Sequence, residues 1–233
     1  MKEGISICIV TCNTLFYNRL AVKMIREMTK SMPYEILVYD NGSQDGSVEW
    51  LSDQEDVFVL RGSGNSLVHG QGLDVLVRLA NREVVCTLDS DAFPISEDWL
   101  RPVSWLSEKV AVSGLEWFLA GGGGSYIHPS YLFGRTEWLR EGTFVHNWGA
   151  VQYDTGHLIT KMAFDHGLEI RGCKYEMYEV LPGCIKPCNY GGFVWHSWYS
   201  TRVVVQNGFR DQPPKEYHSE MQKMLRAKYS LDF

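Results

Sequence analysis

The sequence of 233 residues lacks a hydrophobic run long enough to cross a membrane, and no secretory signal pattern precedes its first apolar stretch. An excess of positive charge is also missing, because 22 Lys and Arg residues stand against 28 Asp and Glu residues, for a net charge of −6. This acidic balance argues against a general surface for nucleic acid or other polyanions. We therefore expect a cytoplasmic protein in a reducing compartment.

Closely paired cysteines of the zinc-knuckle type are absent, although the chain has six cysteines. Cys8 and Cys86 fall in apolar stretches typical of buried strands, where a thiol behaves as a small hydrophobic side chain. An alternative zinc set would consist of Cys173, Cys184, Cys188 and His196. Its spacing does not match that of structural zinc sites. With 45% hydrophobic and 21% charged residues, the chain should fold without disulfides.

Strand and helix patterns alternate over the first 115 residues. Short apolar, β-branched runs predict strands, whereas apolar residues three and four apart predict helices. The predicted strands are 5–10, 35–40, 57–60, 83–88 and 110–115, and the predicted helices are 20–28, 48–51 and 73–79. A further helix is expected after Ser96, which suits an N-cap. This alternation predicts an α/β domain with a mostly parallel central sheet.

The second half of the chain is less regular and richer in aromatic residues. Its predicted strands are 131–133 and 193–196, and its predicted helices are 136–139, 154–166 and 216–228. Residues 179–188 contain Pro182, Gly183 and Pro187, and we predict a loop there.

Polar residues gather where three of the predicted strands end. Thr11 and Asn13 follow the first strand, and residues 40–46, which read Asp-Asn-Gly-Ser-Gln-Asp-Gly, follow the second. The fourth strand ends in Thr-Leu-Asp-Ser-Asp, with Asp89 and Asp91 one residue apart. Neighbouring parallel strands end at one edge of a sheet, where ligands bind. Alternation places both carboxylates on one side, and their mutual repulsion favours a divalent cation between them.

Together these three segments resemble the family 2 glycosyltransferases over residues 5 to about 115. The resemblance implies a single GT-A domain, a Rossmann-like nucleotide-diphospho-sugar transferase fold, over residues 1–233. Residues 1–115 would bind the donor, and residues 116–233 would bind the acceptor and supply a C-terminal helix. The implied reaction moves a sugar from a nucleoside-diphosphate sugar, expected to be UDP-linked, to an acceptor hydroxyl with inversion, using Mn²⁺ or Mg²⁺.

The resemblance also assigns roles to residues of the donor site. Thr11 and Asp40 would contact the base, and Asp40 could accept a hydrogen bond from a uracil-like imide. Asp91 would bind the metal, and Asp89 would bind the metal, its water or the ribose. His196, at the end of a predicted strand, would be the third metal ligand. The other donor-site candidates are Asn13, Asn41, Asp45, His69, Ser90 and Arg202.

Purely structural roles are the alternatives for several of these residues. Thr11 and Asn13 could only satisfy backbone groups of a loop, and Asp45 could only cap the next helix. Asp40 is harder to explain structurally, because a carboxylate that ends a buried strand needs a partner. His196 could be a structural histidine, and Arg202 an ordinary surface arginine.

Asp154 is the candidate catalytic base. With Tyr153 it opens a predicted helix and resembles the acidic pair of inverting members, although Tyr153 replaces the first acid. The carboxylate would remove the proton of the acceptor hydroxyl as that oxygen attacks the anomeric carbon. A helix N-cap is the structural alternative, and Asp165 and Glu116 are the other candidate bases.

Trp198 and Trp117 are the candidates for acceptor binding, because flat rings stack on sugars and bases. The acceptor would be a saccharide, a lipid-linked glycan or a hydroxymethylated pyrimidine in DNA. The acidic net charge disfavours DNA. A local basic patch for DNA could come from Lys215, Lys223, Arg226 and Lys228.

Three other classes explain parts of the pattern. A metal-dependent phosphohydrolase would carry its Asp-x-Asp nucleophile on an early strand, whereas three predicted strands precede it here. A sugar-phosphate nucleotidyltransferase should carry a Gly-rich, Arg-containing loop after its first strand, which residues 11–18 lack. A non-catalytic sugar- or nucleotide-binding module would not need to keep both carboxylates together with Asp40 and His196.

Overall fold

The computed structural model describes residues 1–62, 69–118, 124–145, 155–198 and 216–233, except for the side chain of Pro187. Its strands are β1 Lys2–Thr11, β2 Tyr34–Asp40, β3 Val57–Arg61, β4 Arg82–Asp89, β5 Ala92–Pro94, β6 Val110–Phe118, β7 Ser125–Arg135, β8 Glu169–Cys173, β9 Tyr175–Leu181, β10 Cys184–Tyr190 and β11 Val194–His196. Its helices are α1 Leu15–Met28, α2 Ser47–Ser52, α3 His69–Leu79, α4 Thr136–Leu139, α5 His157–Asp165, α6 Tyr217–Tyr229 and a 3₁₀ helix at Glu97–Trp105.

Seven strands form the central sheet, in the order β3-β2-β1-β4-β7-β6-β8. β7 pairs antiparallel with both of its neighbours, and the other pairs in this sheet are parallel. The structure therefore confirms an α/β fold with a mostly parallel sheet. The strands and helices predicted in the first 115 residues are all present, and Ser96 caps the 3₁₀ helix by accepting a hydrogen bond from the Asp98 amide.

The β-branched run of β1 is buried on both faces of the sheet, as expected for a central parallel strand. Alternation along the strand sends Ile7 and Ile9 into one apolar layer, whereas Cys8 and Val10 enter the other. The two layers cover opposite faces, so β1 is fixed between them. Its carboxyl end, where the polar residues begin, is thereby held in place.

A second sheet of four antiparallel strands, in the order β5-β11-β10-β9, stands beside the first. The loop predicted at 179–188 is wrong, because β9 and β10 form a hairpin there. Pro182 and Gly183 occupy its turn, where Gly183 has a φ of 76° that glycine adopts without strain. Pro187 stands at a register shift, a position at which a strand tolerates proline. The proline and glycine residues that predicted a loop therefore occupy the turn and the irregular position of a hairpin.

Other elements along the chain also differ from expectation. β7 extends well beyond the predicted 131–133, and the short strands β5 and β8 were not predicted. α3 begins at His69, four residues earlier than the predicted helix. Among the helices that the structure describes, none has both the length and the apolar character needed to span a membrane.

Candidate metal and donor site

The three polar segments predicted from the sequence lie side by side at one edge of the central sheet. In the register of the parallel strands, Thr11 is opposite Asp40, and Val10 is opposite Asp89. The strand order β2-β1-β4 therefore places the base-binding candidates next to the Asp-x-Asp segment.

Asp40 ends β2 and is fully buried, at 0% exposure. Its Oδ2 accepts hydrogen bonds from the amides of Gly42, at 3.0 Å, and Ser43, at 3.1 Å. The Asn41 amide donates to the carbonyl of Thr11, at 2.8 Å. These two amides are the partners that the buried carboxylate needs, and the carboxylate in turn stabilises the turn after β2. Each carboxylate oxygen has two acceptor sites, so capacity remains for a ligand.

Asn13 ties the loop after β1 to the loop after β2. Its amide donates to Ser43 Oγ at 2.8 Å, and its Oδ1 accepts from the Gln44 amide at 2.6 Å. Asn13 has a φ of 51°, a left-handed conformation that asparagine tolerates better than most residues. The side chain of Asn13 is thus committed to holding this edge in shape.

Asp45 links the starts of two helices. Its Oδ2 accepts from the Leu15 amide at the beginning of α1, at 2.8 Å. Its Oδ1 accepts from the amide of Ser47 at the beginning of α2, at 3.0 Å. A carboxylate at helix N-termini satisfies free amides and favours the helix dipole. The helix-capping alternative for Asp45 therefore describes what this side chain does in the structure.

Thr11 is buried in a small polar network at the start of α1. Its Oγ1 accepts from Asn18 Nδ2 at 2.9 Å and lies 2.7 Å from Thr14 Oγ1. Contact with a base, as predicted for Thr11, would therefore add to bonds that the hydroxyl already makes within the protein.

Asp89, Asp91 and His196 form the Asp–Asp–His cluster, in which one ligand atom from each residue lies within 4.8 Å of the others. His196 Nε2 is 3.0 Å from Asp91 Oδ1 and 3.5 Å from Asp89 Oδ2. Asp91 and His196 are buried, whereas Asp89 is partly exposed at the rim. The structure thus brings together the three residues predicted to be metal ligands.

The pairing of two short strands assembles this cluster. β5 follows Asp91 directly, and it pairs antiparallel with β11, so that Ala92 is opposite His196. The Ser197 amide donates to the Asp91 carbonyl at 2.9 Å and extends this pairing. Asp91 and His196, 105 positions apart in the chain, are therefore held together by the backbone pairing of Asp91 with Ser197 and of Ala92 with His196.

The donor set of the cluster fits a divalent metal ion. Two carboxylates and one imidazole supply hard oxygen ligands and a nitrogen, a set suited to ions such as Mn²⁺. Asp89 Oδ1 is buried and has no hydrogen-bond partner among the described residues, and His69 Nε2 is 3.6 Å away. A buried carboxylate oxygen without a partner costs free energy, and a cation would offset that cost. His69 therefore lies close enough to approach a cation bound at Asp89.

An aromatic cluster of Trp117, Tyr175 and Trp198 borders the Asp–Asp–His cluster. The Trp198 ring stacks on His196, with centroids 4.5 Å apart and planes at 26°. Trp117 is 5.6 Å from Trp198 and 4.9 Å from Tyr175. Trp198 has a φ of 57°, which is rare for a bulky residue and is often found at functional sites. Of the two predicted acceptor residues, Trp198 therefore contacts His196 directly, and Trp117 contacts Trp198.

The sequence did not indicate Tyr190, whose hydroxyl hydrogen-bonds to His196 Nδ1. Burial raises the pKa of Tyr190 well above its usual value, so the phenol keeps its proton. Only the β9–β10 hairpin, in a segment predicted to be a loop, brings this tyrosine behind the histidine. The sequence offered only the short spacing between Tyr190 and His196 as a signal of this contact. That spacing can be interpreted only when the strand pairing is known.

The remaining predicted residues are dispersed or fall in undescribed segments. Asp154 and Arg202 lie outside the described residues, so their structural roles stay predictions. Ser90, which stands between Asp89 and Asp91 in the sequence, is buried. Asp165, an alternative base, is an exposed partner of Lys161 on α5.

The zinc alternative does not agree with the structure. Cys188 is part of an apolar core cluster, and Cys173 packs against another. Within the described ranges, His196 groups with the two aspartates, and the cysteines form no group that could hold a metal.

Comparisons with known proteins give a consistent picture. The sequence profile of glycosyl transferase family 2 matches residues 6–166. The mannosyltransferase PcManGT from Pyrobaculum calidifontis, solved with GDP-Man and Mn²⁺, has a TM-score of 0.60 at 18% identity, over 97% of this chain and 70% of its own. S. aureus TarS 1-349 with UDP-GlcNAc has a TM-score of 0.55 at 18% identity, over 77% of this chain and 60% of its own.

The fold alone does not separate glycosyl transfer from nucleotidyl transfer. A Methanothermobacter nucleotidyl transferase has a TM-score of 0.51 at 16% identity, over 73% of this chain and 87% of its own. A search of curated protein sequences found no match. At such low identities the solved structures establish the fold, and the profile match establishes the family.

Proposed function

The chain belongs to glycosyl transferase family 2 and is a glycosyltransferase, and we propose that it transfers a sugar from a UDP-sugar to an acceptor hydroxyl with a divalent metal ion, Mn²⁺ or Mg²⁺. One observation supports the proposed metal dependence. The Asp–Asp–His cluster gathers two carboxylates and an imidazole at the edge of the sheet that also carries Asp40, and one buried carboxylate oxygen there has no hydrogen-bond partner among the described residues.

The metal ligands have different proposed roles. Asp91 and His196 are buried and 3.0 Å apart, which suits direct and permanent ligands. Asp89 is more exposed, so it is proposed to reach both the ion and the ribose of the donor. The bound ion would neutralise the diphosphate and stabilise it as a leaving group.

The donor base is proposed to lie over the loops after β1 and β2. Asp40 keeps acceptor capacity beside its two amide bonds, which suits the imide N–H of uracil. Thr11, Asn13, Asn41 and Asp45 would shape this surface. His69, Ser90 and Arg202 are proposed to approach the ribose or the diphosphate, and for Arg202 the proposal rests on the sequence alone.

Asp154 is proposed as the base, again from the sequence alone. The acceptor oxygen attacks the anomeric carbon, its proton passes to the Asp154 carboxylate, and the bond from that carbon to the diphosphate oxygen breaks. A direct displacement of this kind inverts the anomeric configuration. Asp154→Asn should abolish transfer and leave the donor dissociation constant unchanged, and near wild-type transfer by this variant would exclude Asp154 as the base.

The aromatic cluster is proposed to hold the acceptor in the second half of the chain. Trp198 and Trp117 present flat rings beside the metal site, and such rings stack on the apolar faces of sugars. A saccharide acceptor, free or lipid-linked, fits this surface and the acidic net charge better than DNA does. The cytoplasmic location expected from the sequence remains a prediction.

A screen of nucleotide sugars tests the proposal. We expect the purified protein to hydrolyse a UDP-sugar slowly with Mn²⁺ and not with a chelator, and to use GDP-sugars less well. Asp91→Asn should lose this activity, whereas Asp98→Asn, at an exposed aspartate paired with Arg101, should keep it. Failure to bind any nucleotide sugar, with or without metal, would overturn the proposal.

A further inference from the structure

Trp198 has an unusual backbone conformation beside the candidate metal site. Its φ is 57°, and its ring stacks on His196 with the ring centroids 4.5 Å apart. A left-handed conformation costs a bulky residue free energy, so it persists only where the surrounding structure fixes it. The neighbours of Trp198 must therefore supply the interactions that keep its backbone in place.

Ser197, the residue before Trp198, is held by hydrogen bonds on both sides of its backbone. Its amide donates to the carbonyl of Asp91 at 2.9 Å, which continues the pairing of β11 with β5. Its carbonyl accepts from the hydroxyl of Tyr217 at 2.6 Å. That carbonyl belongs to the rigid peptide plane that leads into Trp198. The hydroxyl of Tyr217 therefore fixes the plane from which the backbone of Trp198 turns.

Burial makes this hydrogen bond hard to replace. Tyr217 and Ser197 both have 0% exposure, so water does not compete for the carbonyl. A buried carbonyl that loses its donor costs free energy, and the peptide would reorient to find another partner. Loss of the phenolic hydroxyl alone should thus release the peptide before Trp198.

Helix α6 sets the position of Tyr217 independently of Trp198. Tyr217, Met221 and Leu225 follow one another at intervals of one helical turn, and all three have 0% exposure. They pack in one apolar cluster with Tyr17 of α1. The hydroxyl of Tyr17 also lies 3.1 Å from Nδ1 of His218 on α6. The packing of α6 on α1 therefore presents the Tyr217 hydroxyl to the end of β11.

The orientation of Trp198 decides whether the aromatic cluster is continuous. Its ring contacts His196 on one side, and the centroid of Trp117 is 5.6 Å away. Trp117 in turn is 4.9 Å from Tyr175. Rotation of the backbone at Trp198 would carry its ring away from these neighbours and interrupt the surface.

We propose that the Tyr217 hydroxyl positions Trp198, by holding the Ser197 peptide in the orientation that completes the aromatic surface for a saccharide acceptor. Tyr217 acts through Trp198 and does not touch the acceptor. The pairing of β11 with β5 places His196 itself, so the effect of Tyr217 falls on the acceptor side of the site. The inference rests on the proposed function, because it takes the aromatic cluster to bind the acceptor.

Fluorine NMR of the metal-free protein, labelled with fluorotryptophan, tests the positioning. The chain has eight tryptophans, and the signal of Trp198 is the one lost in Trp198→Phe. Tyr217→Phe keeps the ring and removes only the hydroxyl. We expect the Trp198 signal to shift or broaden in this variant, while signals of distant tryptophans stay in place and show that the protein is folded. An unchanged Trp198 signal would overturn the proposal.

Tyr131→Phe is the matched control. Tyr131 is also fully buried and donates its hydroxyl to a backbone carbonyl, that of Trp99. This variant loses the same kind of bond elsewhere in the fold, so its Trp198 signal should match that of wild type. Equal changes of the Trp198 signal in both variants would indicate a general loosening of the protein and exclude the positioning role.

Sugar titrations test the consequence for the acceptor. Methyl glycosides of glucose, galactose, mannose and N-acetylglucosamine are added to the labelled wild-type protein with UDP and Mg²⁺, and at least one should shift the Trp198 signal. That sugar should bind about tenfold more weakly to Tyr217→Phe, as expected when the stacked conformer falls to about a tenth of the population. No shift with any of these sugars would overturn the acceptor role of the surface that Tyr217 completes.

Mn²⁺ titration separates this inference from the proposed metal site. Tyr217→Phe should bind Mn²⁺ with the affinity of wild type. A loss of about 10- to 100-fold, typical of groups that support a metal ligand, would assign Tyr217 to His196 and overturn its role toward Trp198. If the wild-type protein binds no Mn²⁺, the proposed metal dependence fails, and the fluorine spectra of the metal-free protein still decide how Trp198 is positioned.

Discussion

Two groups of acidic residues follow β2 and β4, the strands on either side of β1, and they differ in what satisfies their carboxylates. Asp40 and Asp45 accept hydrogen bonds from backbone amides of their own loops, so their charges hold the turn and the helix starts. Asp89 and Asp91 instead face each other and His196, and a buried oxygen of Asp89 has no hydrogen-bond partner among the described residues. Backbone amides satisfy the first group within the protein, whereas a cation would offset the repulsion in the second.

The partners of these carboxylates distinguish acids that stabilise the fold from acids that serve the site more clearly than burial does. Asp40 is as buried as any residue in the cluster, yet its carboxylate has backbone donors within 3.1 Å. The Asp–Asp–His cluster keeps like charges close together, which costs stability without an ion. We therefore expect substitutions in the first group to lower stability and substitutions in the second to lower activity.

The largest effect should follow Asp91→Asn. Loss of a buried metal ligand should lower kcat by about 10³-fold, because a catalytic metal contributes several kcal/mol. The free energy of unfolding without metal should stay equal or rise, since repulsion from Asp89 is relieved. Transfer assays and urea denaturation measure the two quantities. Activity within tenfold of wild type would show that the cluster does not bind a catalytic ion.

Metal itself should produce the next largest effect. Mn²⁺ at 100 times its dissociation constant should stabilise the folded wild-type protein by about 2.7 kcal/mol. The same gain is expected in Asp45→Ala, whereas Asp91→Asn should gain almost nothing. Urea denaturation with Mn²⁺ and with a chelator gives the values. Equal stabilisation of Asp91→Asn would place the ion elsewhere on the protein.

Asp40→Ala should cost about 1–3 kcal/mol of stability, because the amides of Gly42 and Ser43 would lose their acceptor. Its Mn²⁺ affinity without nucleotide should equal that of wild type. Chemical denaturation and Mn²⁺ titration are the measurements. A variant with unchanged stability but no UDP binding would mean that Asp40 serves the ligand rather than the turn.

Asp45→Ala should have the smallest effect, about 1 kcal/mol, as expected for a lost helix cap. Asp53→Ala is the control, because Asp53 is an exposed acid at the opposite end of α2, where a negative charge opposes the helix dipole. The control should be neutral or slightly stabilising in thermal unfolding. Equal losses of stability in Asp45→Ala and Asp53→Ala would exclude the capping role of Asp45.

Much of the first half of the chain could be predicted from the sequence, because its signals are local. A β-branched run such as that of β1 is readable in a short window, and so is the turn after Asp40. Asp89 and Asp91 could be placed on one edge because parallel strands end together. His196 was predicted as their partner from the resemblance, and the structure places it there.

The second half could not be predicted in the same way, because its structure depends on long-range pairing. Pro182 and Pro187 predict a loop locally, yet one stands in a hairpin turn and the other at a register shift. β11, which has only three residues, pairs with β5 of the first half, which is equally short. Tyr190 was missed for the same reason, since it carries no local signal of its contact with His196.

The pairing of β5 with β11 also bears on the order of folding. The carboxylates lie at and just beyond the end of β4, whereas the imidazole arrives from a strand more than 100 residues later. Contacts of such separation form late, because closing the intervening loop costs entropy. A chain folded only through its first sheet would hold two carboxylates and no histidine. Metal affinity would then report that the last strand has docked, and full affinity would mark a completely folded enzyme.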